Sequence, residues 1–296
     1  MLELDDFDDV RDHYLERMFR VDPVSVRYAD PARYLQLGRV VTGEVMADVF
    51  AEWRRRRSVT RGGLVWFLRD LWDCAGWGVI DAAGTPKPAW YYLKRALAPL
   101  AVFVSDEGTN GLAVHLVNDG ERPADGTLTV TAYRGDVQVA HGATPRRLPA
   151  RSALELNAVS LFEGFLDLSY AYRFGPASHD VVVASWSGGD GEQRHAFHFV
   201  HGLPHAKQAT VGLTATARQQ PDGCYLVDVR AEQFAQSVRI FAPGWRANDS
   251  YFHMAPRTNH RVRLVRVDGA ASGPFRAECT ALNADAAVAV HVDAEG

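Results

Sequence analysis

The stretch from residue 61 to residue 77 constrains the fold of this chain more than any other part. Residues 64–68 (Leu-Val-Trp-Phe-Leu) form a continuous apolar run that lacks the alternation of a half-exposed strand. Such a short run, opened here by Gly62-Gly63, is typical of a strand buried on both faces, as in a parallel sheet. Asp70 and Trp72 follow at its end, where parallel barrels carry their site residues. The sequence therefore predicts a buried barrel strand that ends in candidate site residues.

Helical patterns lie on both sides of this strand. Val10, Tyr14 and Met18 recur every four residues and predict an amphipathic helix over residues 8–19. A second helix is predicted from Asp30-Pro31, an N-cap followed by proline at N1, to about residue 53. A third helical run covers residues 91–97 and is closed by a proline. Helix, buried strand and helix amount to about one and a half units of an α/β barrel.

Four consecutive arginines, residues 54–57, stand at the end of the second predicted helix. No glycine-rich loop is adjacent to them, so a phosphate or polyanion site is the weaker interpretation. Cations are favoured at helix C-termini by the helix dipole. We therefore expect a solvated cap.

From residue 100 onward the pattern changes to short β-rich segments separated by turns, which is typical of antiparallel sandwiches. The predicted strands are 112–117, 128–133, 181–186 and 195–200, then, beyond a junction at 201–205, 210–216, 225–229, 238–241, 262–267 and 287–292. Each set spans about 100 residues, the size of one immunoglobulin-like sandwich. We predict a multidomain α/β plus all-β chain: a barrel segment over 1–99, one sandwich over 100–204 and another over 205–296.

Net charge, cysteine content and the N-terminal sequence indicate which binding partners and which cellular compartment to expect. The net charge of −4 gives no reason to expect nucleic acid or an anionic membrane as a partner. Cys74, Cys224 and Cys279 are odd in number and far apart, without zinc-ligand spacing, so buried free thiols are expected. The N-terminus is acidic and lacks a signal-peptide core, and no run approaches the ~18 apolar residues of a membrane span. We expect a cytoplasmic protein if Met1 is the natural start.

The order of residues in the central stretch resembles the end of the catalytic barrel in β-mannosidases of glycoside hydrolase family 2. In that family the last barrel strand reads roughly Trp-x-x-x-Asp-x-Trp, then a Ser/Gly-Trp turn and a helix start that contains lysine. The matching residues here are Trp66, Asp70, Trp72, Trp77 and Pro86-Lys87-Pro88. One departure is Arg69, where the family often has asparagine. The resemblance is close over the central stretch and weaker over the whole chain, because that family follows its barrel with β-sandwich domains.

The resemblance implies the C-terminal piece of a (β/α)8 barrel followed by two immunoglobulin-like β-sandwiches. It also implies retaining hydrolysis of terminal β-D-mannosides by two glutamates, without metal or cofactor. In the family the acid/base glutamate follows asparagine, and neither Asn-Glu nor Ser-Glu occurs in this chain. Glu44 and Glu52 fall within a predicted helix, where a solvated or ion-paired role is expected. We therefore name no catalytic residue, expect the chain to be inactive alone, and expect an upstream catalytic polypeptide as a partner.

Four residues are candidates for substrate binding. Trp72 could pack its indole face against the axial C–H groups of a sugar, or lie in a core beneath a loop. Asp70 could orient Trp72, accept a sugar hydroxyl, or form a buried ion pair with Arg69 or another arginine. Trp77 could line the entrance or cover the barrel end, and Trp66, in mid-strand, could pack inside the barrel. The expected ligand is a β-mannoside or another glycan.

Two further hypotheses stay open. The chain could be a non-catalytic carbohydrate-binding or assembly protein in which the sandwiches contact glycans or another polypeptide. It could also be a separate subunit that completes a barrel supplied by another chain. An adjacent reading frame that encodes two catalytic glutamates would distinguish a split or truncated enzyme from a binding protein.

Overall fold

The computed structural model describes residues 7–60, 62–73, 76–189, 191–203, 208, 210–267, 269 and 273–293. The chain divides into two compact units, each built from separated parts of the sequence. Unit 1 comprises Met1–Glu44, Val65–Tyr92 and Pro204–Gly296; unit 2 comprises Val45–Leu64 and Leu93–Leu203. The chain therefore passes between the units four times, at residues 44–45, 64–65, 92–93 and 203–204.

The helices are α1 (Phe7–Tyr14), continued by a π-helical turn (Leu15–Phe19), α2 (Pro23–Ala29), α3 (Pro31–Arg54) and α4 (Pro88–Ala96). The three helices predicted from periodicity are confirmed, and α2 was not predicted. The carboxylate of Asp30 accepts the Arg33 backbone N–H at 2.9 Å, so the predicted cap of α3 is formed. Leu37 and Val41 on α3 are almost fully buried.

The first sandwich lies in unit 2 and contains seven antiparallel strands. They are β1 (Leu100–Asp106), β2 (Leu112–Asn118), β3 (Ala124–Arg134), β4 (Val137–Leu148), β5 (Ser152–Asn157), β6 (Val181–Gly188) and β7 (Gln193–Phe199). One sheet has the order β1-β2-β5 and the other β4-β3-β6-β7. Side chains of both sheets share one core, with Leu116, Leu128 and Trp186 fully buried. Four strands were predicted; β1, β4 and β5 were not.

The second sandwich lies in unit 1 and has shorter strands. They are β8 (Thr214–Gln219), β9 (Tyr225–Ala231), β10 (Ala235–Phe241), β11 (Trp245–Ala247), β12 (Phe252–Met254), β13 (Thr258–Arg266), β14 (Glu278–Thr280), β15 (Val288–Ala289) and β16 (His291–Val292). The sheets have the orders β12-β10-β14-β15 and β11-β13-β9-β8-β16. Their common core includes Val227, Val238 and Val262. Mostly β structure with few helices thus agrees with the predicted sandwich region.

The apolar run at 64–68 does not form the predicted buried strand, and that prediction is wrong for this structure. The segment has no regular secondary structure, and Leu64 is 99% exposed. Its pairing is confined to one end: the carbonyls of Phe67 and Leu68 accept the backbone N–H groups of Val79 and Ile80 at 3.3 and 3.0 Å, next to a parallel bridge between Arg69 and Ile80. A strand buried on both faces needs neighbours at both edges and layers on both sides. Among the described residues, only Val79 and Ile80 pair with the segment, and the side chains of Leu64, Trp66 and Leu68 stay exposed.

The arginine run is the solvated cap that the sequence predicts only at Arg56 and Arg57, which are exposed; Arg54 and Arg55 are largely buried. Within unit 2 the Arg54 guanidinium donates to the carbonyls of Ala96 and, at 3.0 Å, Ala98, and it pairs with Asp119. Arg55 pairs with Glu107 at 3.0 Å. The run therefore ties the end of α3 to the start of the first sandwich.

The two cysteines in the described residues are free and buried, as predicted for Cys224 and Cys279. Burial raises the pKa of the Cys279 thiol to about 12, so this thiol is inert at neutral pH. The prediction for Cys74 lies outside the described residues. Among the helices described, none has the length and apolar character that a membrane span requires.

Candidate functional site

Asp70 is the most buried of the candidate site residues. Its side chain is only 3% exposed, and both carboxylate oxygens have partners. Oδ1 accepts the backbone N–H of Gly78 at 2.8 Å, and Oδ2 is paired with the Lys87 ammonium. The hydrogen bond from Lys87 holds the pKa of Asp70 below its usual value, and the Gly78 amide acts in the same direction. Asp70 is therefore an ionised, buried anchor.

The residues around Asp70 leave no room for larger side chains. A Cβ atom on Gly76 or on Gly78 would come within 2.5 Å of the Asp70 Oδ1 atom. At Gly78 it would also come within 2.5 Å of the Asp70 backbone nitrogen, which cannot move as a side chain could. The Lys87 Nζ atom donates to the Gly76 carbonyl at 3.2 Å. Residues 76 and 78 must therefore be glycine for the Asp70 carboxylate to fit where it lies.

The three candidate tryptophans lie on the surface. Trp66 is 79% exposed, Trp72 is 65% exposed and Trp77 is 53% exposed. Trp77 packs at one side on Phe7, with ring centroids 4.6 Å apart. Leu68 and Leu71 between them are exposed as well. The segment therefore presents five large apolar side chains to solvent within twelve residues, far more than scattered surface apolar residues require.

Arg69, where the resembled family often has asparagine, is not the ion-pair partner of Asp70. Its guanidinium donates to the Ala82 carbonyl, across the bridge that joins Arg69 to Ile80. The alternative of an Asp70–Arg69 ion pair is therefore wrong, and the partner is Lys87. Lys87 belongs to the stretch that resembles the family, where it stands between Pro86 and Pro88, but no local pattern in the sequence pairs it with Asp70.

Sequence reasoning missed a buried polar ring in unit 1. Tyr92 donates to Glu44 Oε1 at 3.0 Å and contacts the Ser237 hydroxyl at 2.8 Å. His253 closes the ring: Nδ1 accepts the Ser237 backbone N–H at 3.0 Å, and Nε2 lies 3.2 Å from Glu44 Oε1. Glu44 continues the buried i, i+4, i+7 row of Leu37 and Val41, which was the signal available in the sequence.

This ring gives Glu44 a structural environment, since its carboxylate contacts a tyrosine on α4 and a histidine on β12. Over the residues that the structure describes, no group of three or more His, Cys, Asp or Glu side chains is arranged to hold a metal ion. The segment from Trp66 to Trp77 therefore offers exposed indole rings against which a ligand could pack. The buried carboxylate of Asp70 already has two partners, the Lys87 ammonium and the Gly78 N–H.

Comparison with curated proteins finds β-mannosidases. The chain is 39% identical to "Beta-mannosidase B" of Emericella nidulans over 77 residues, which are 25% of this chain and 9% of that protein. It is 32% identical to "Beta-mannosidase B" of Aspergillus clavatus over 178 residues, 54% of this chain and 20% of that protein. The chain thus spans a small fraction of the length of these relatives. No protein-family model matches the chain.

Comparison with solved structures finds the same kind of fold over nearly the whole chain. A β-D-mannosidase from Dictyoglomus thermophilum superposes with a TM-score of 0.73 at 17% identity, covering 93% of this chain and 32% of that chain. The exo-chitosanase CsxA from Amycolatopsis orientalis superposes with a TM-score of 0.67 at 16% identity, covering 91% and 36%.

The β-mannosidase relatives show which proteins this chain is similar to in sequence, and the solved structures agree with the sandwich-rich fold. The predicted resemblance is therefore confirmed: this chain carries a C-terminal region of the kind found in glycoside hydrolase family 2 β-mannosidases.

Proposed function

We propose that this chain is the C-terminal portion of a β-mannosidase-like retaining glycoside hydrolase that acts on terminal β-D-mannosides. The observation that carries the proposal is the 32% identity to a β-mannosidase B over 178 residues. The exposure of Trp66, Trp72 and Trp77 supports it, because indole faces pack well against the axial C–H groups of a pyranose. The β-mannoside would therefore meet this chain at Trp72 and Trp77.

The catalytic carboxylates are proposed to come from an upstream catalytic polypeptide. A retaining glycosidase needs two carboxyl groups about 5–5.5 Å apart, one as acid/base and one as nucleophile. The glutamates of this chain with close partners serve other contacts: Glu44 lies in the buried ring, Glu107 pairs with Arg55, and Glu155 pairs with Arg57. The isolated chain would then bind weakly and not hydrolyse.

The same proposal assigns residues 1–99 to the end of a (β/α)8 barrel, residues 100–204 to one sandwich and residues 205–296 to another. The side chains of Trp66, Leu68 and Leu71 support the barrel assignment, because they are apolar and yet exposed to solvent in this chain. The two strand sets, which run from Leu100 to Phe199 and from Thr214 to Val292, are consistent with those bounds. An upstream barrel half would supply the missing neighbours of the 64–68 run.

The test compares the chain alone with the chain joined to an upstream catalytic region, either its own preceding reading frame or the corresponding part of a β-mannosidase B. Each is assayed with aryl β-D-mannoside and, as a sugar control, with aryl β-D-glucosaminide. We expect no turnover by the chain alone and turnover of the mannoside by the joined protein.

Three outcomes would overturn this assignment. Turnover by the chain alone that is abolished by Glu44→Gln, or by changing another of its glutamates, would place the catalytic pair here. A joined protein that folds, binds mannan oligosaccharides and still does not hydrolyse any aryl glycoside would favour a non-catalytic carbohydrate-binding role. Turnover only when two separate polypeptides are mixed would indicate a subunit of a split enzyme.

A further inference from the structure

We propose that Asp70, Lys87, Gly76 and Gly78 form a clasp that positions Trp72 and Trp77 for substrate. Asp70 is then a positioning residue, not a sugar ligand. This inference deepens the proposed function, because it assigns a role to the groups behind the two tryptophans of the same site.

The first step concerns what Asp70 can contact. Its side chain is buried, and its two oxygens are taken by the Gly78 N–H and the Lys87 ammonium. A sugar hydroxyl would have to displace a charged partner or a backbone amide to reach either oxygen. Direct recognition of substrate by Asp70 is therefore unfavourable in this arrangement.

The second step concerns what the carboxylate joins. Trp72 lies two residues after Asp70, and Gly76 and Gly78 bracket Trp77 in the sequence. Both glycines lie against the Asp70 Oδ1 atom so closely that neither could carry a Cβ. One carboxylate thus fixes the backbone before Trp72 and the backbone on either side of Trp77.

The third step concerns the anchor of the clasp. The Lys87 backbone N–H donates to the Val79 carbonyl at 2.9 Å, and its Nζ atom also donates to the Gly76 carbonyl at 3.2 Å. Lys87 immediately precedes α4, whose residues Tyr91 and Tyr92 are buried. The ammonium therefore ties the tryptophan-bearing segment to a helix that is itself packed.

The fourth step separates positioning from ordinary stabilisation. More than half of the surface of each tryptophan is exposed, and Trp77 packs at one side on Phe7, so the placement of the rings depends mainly on the backbone beneath them. A misplacement of about 1 Å in an active site can cost roughly 100-fold in rate. Loss of the clasp should therefore disturb the two rings and the turnover before it unfolds the chain.

The test on the chain itself uses 5-fluorotryptophan labelling and ¹⁹F NMR, with each of the seven tryptophan signals assigned by single Trp→Phe changes. Asp70→Asn keeps the shape of the side chain and removes its charge. Gly78→Ala opens the clasp by a Cβ atom while keeping the ion pair residues. We expect both variants to shift or broaden the Trp72 and Trp77 signals and to leave Trp186 and Trp245 unchanged.

Asp228→Asn is the matched control, because Asp228 forms an ion pair with Arg261 at 2.7 Å in the same unit, on a strand of the second sandwich. It should leave all seven signals in place. If Gly78→Ala does not fold, Lys87→Met gives a second way to open the clasp. Unchanged Trp72 and Trp77 signals in folded Asp70→Asn and Lys87→Met variants would overturn the inference.

The second measurement is made in the joined protein that hydrolyses aryl β-mannoside. Asp70→Asn should lower kcat/KM at least about tenfold, and in combination with Trp72→Ala it should add little further loss. Full additivity of the two changes would contradict a role through Trp72. If the joined wild-type protein shows no turnover while the ¹⁹F signals respond as expected, the proposed function fails and the clasp stands.

Discussion

Tryptophan has two different uses in this chain, and solvent exposure separates them. Trp186 is fully buried between the sheets of the first sandwich, where it packs against Gly126 so closely that a Cβ there would come within 2.6 Å of its ring. Trp72 has 65% of its surface in solvent and follows a buried carboxylate. A large exposed aromatic ring on an anchored backbone contributes little to folding and is available to a ligand.

Trp72→Ala is therefore expected to reduce activity without reducing stability. In the joined protein, removing a stacking ring should weaken transition-state binding by about 1–3 kcal/mol, by analogy with base stacking on aromatics. In the isolated chain, the change should alter the free energy of unfolding by less than about 0.5 kcal/mol. Steady-state kinetics and denaturant unfolding check the two values.

Phe174→Ala is the matched control for this change, since Phe174 is an exposed aromatic side chain on a loop of the first sandwich. It should affect neither stability nor kcat/KM. A collapse of the Trp72→Ala melting temperature, with unchanged activity per folded molecule, would show that Trp72 is a packing residue.

A second residue-scale expectation concerns His198 on β7. Burial lowers its pKa from 6.5 to about 4, although the negative charge of Asp106 acts in the opposite direction. The unfolded chain therefore binds a proton at higher pH than the folded chain does. The stabilisation from neutral His198 is fully present above pH 6.5 and is lost as the pH falls from 6.5 towards 4, by at most about 3 kcal/mol.

His198→Gln should therefore flatten the fall in unfolding free energy between pH 6.5 and 4, measured by urea unfolding at several pH values. His195→Gln is the control, because His195 is exposed on the same strand. If His198→Gln and wild type keep the same slope, the histidine is not buried in its neutral form.

At the scale of elements, the polar ring of Glu44, Tyr92, Ser237 and His253 connects α3 and α4 to β10 and β12. Tyr92→Phe removes the hydroxyl that bonds to both Glu44 and Ser237. Leaving buried polar atoms with fewer partners should cost about 1–3 kcal/mol of unfolding free energy. The control Tyr28→Phe alters an exposed tyrosine on α2 and should cost close to nothing. Equal stability of the two variants would show that the ring does not stabilise the fold.

Gly43→Ala tests the packing between α3 and α4. In an exposed helix interior, replacing glycine by alanine stabilises by about 1 kcal/mol. Here the new Cβ would lie 2.2 Å from the ring of Tyr92. Overpacking of this kind costs about 1–3 kcal/mol, so we expect net destabilisation by thermal unfolding. Gly38→Ala, which meets only the side chain of Arg11, should cost less.

These elements also show which parts of the fold the sequence could predict. The helices were predictable because their signals are local: apolar spacing, Asp30 before Pro31, and a closing proline. Strands β2, β3 and β6 were predictable because each is β-rich and bounded by turns. Strand β4 was missed because eight of its twelve residues are exposed, so it carries no continuous apolar signal.

The buried strand predicted at 64–68 was wrong for a different reason. An apolar run indicates that a segment needs cover on both faces, but it does not indicate whether the same chain supplies that cover. The candidate site residues were identified from their place at the end of a predicted strand and from the resemblance to the β-mannosidase barrel. The pairing of Asp70 with Lys87 depends on a turn that no local pattern specifies.

At the scale of the whole molecule, the chain crosses between its two compact units four times. The exposed segment of residues 64–72 begins at one of these crossings, between Leu64 and Val65. Exposed apolar side chains without regular backbone bonding favour both protease access and self-association. Both properties should disappear when an upstream barrel half covers the segment. Light scattering of the isolated chain with and without the combined change of Trp66, Leu68 and Leu71 to serine measures the self-association.

Limited chymotrypsin digestion should cleave the chain first between residues 64 and 72 and should not separate the products. The cut leaves α1 to α3 on one fragment and α4 with both sandwiches on the other. In unit 1, the fragments remain joined by the Glu44 contacts with Tyr92 and His253, and by Arg33, which donates to the Leu282 carbonyl at 2.5 Å. In unit 2, Arg54 donates to Ala98.

Because each unit contains pieces from both sides of the cut, breaking one peptide bond does not divide the packed cores. The fragments should co-elute on size exclusion in native buffer and separate in urea, with mass spectrometry locating the cut. Glu44→Gln combined with Tyr92→Phe should weaken their association, whereas Tyr28→Phe should not. Separation of the wild-type fragments in native buffer would show that residues before the cut fold independently of those after it. First cleavage in the loop from residue 162 to residue 180 would show instead that the 64–72 segment is already protected in the isolated chain.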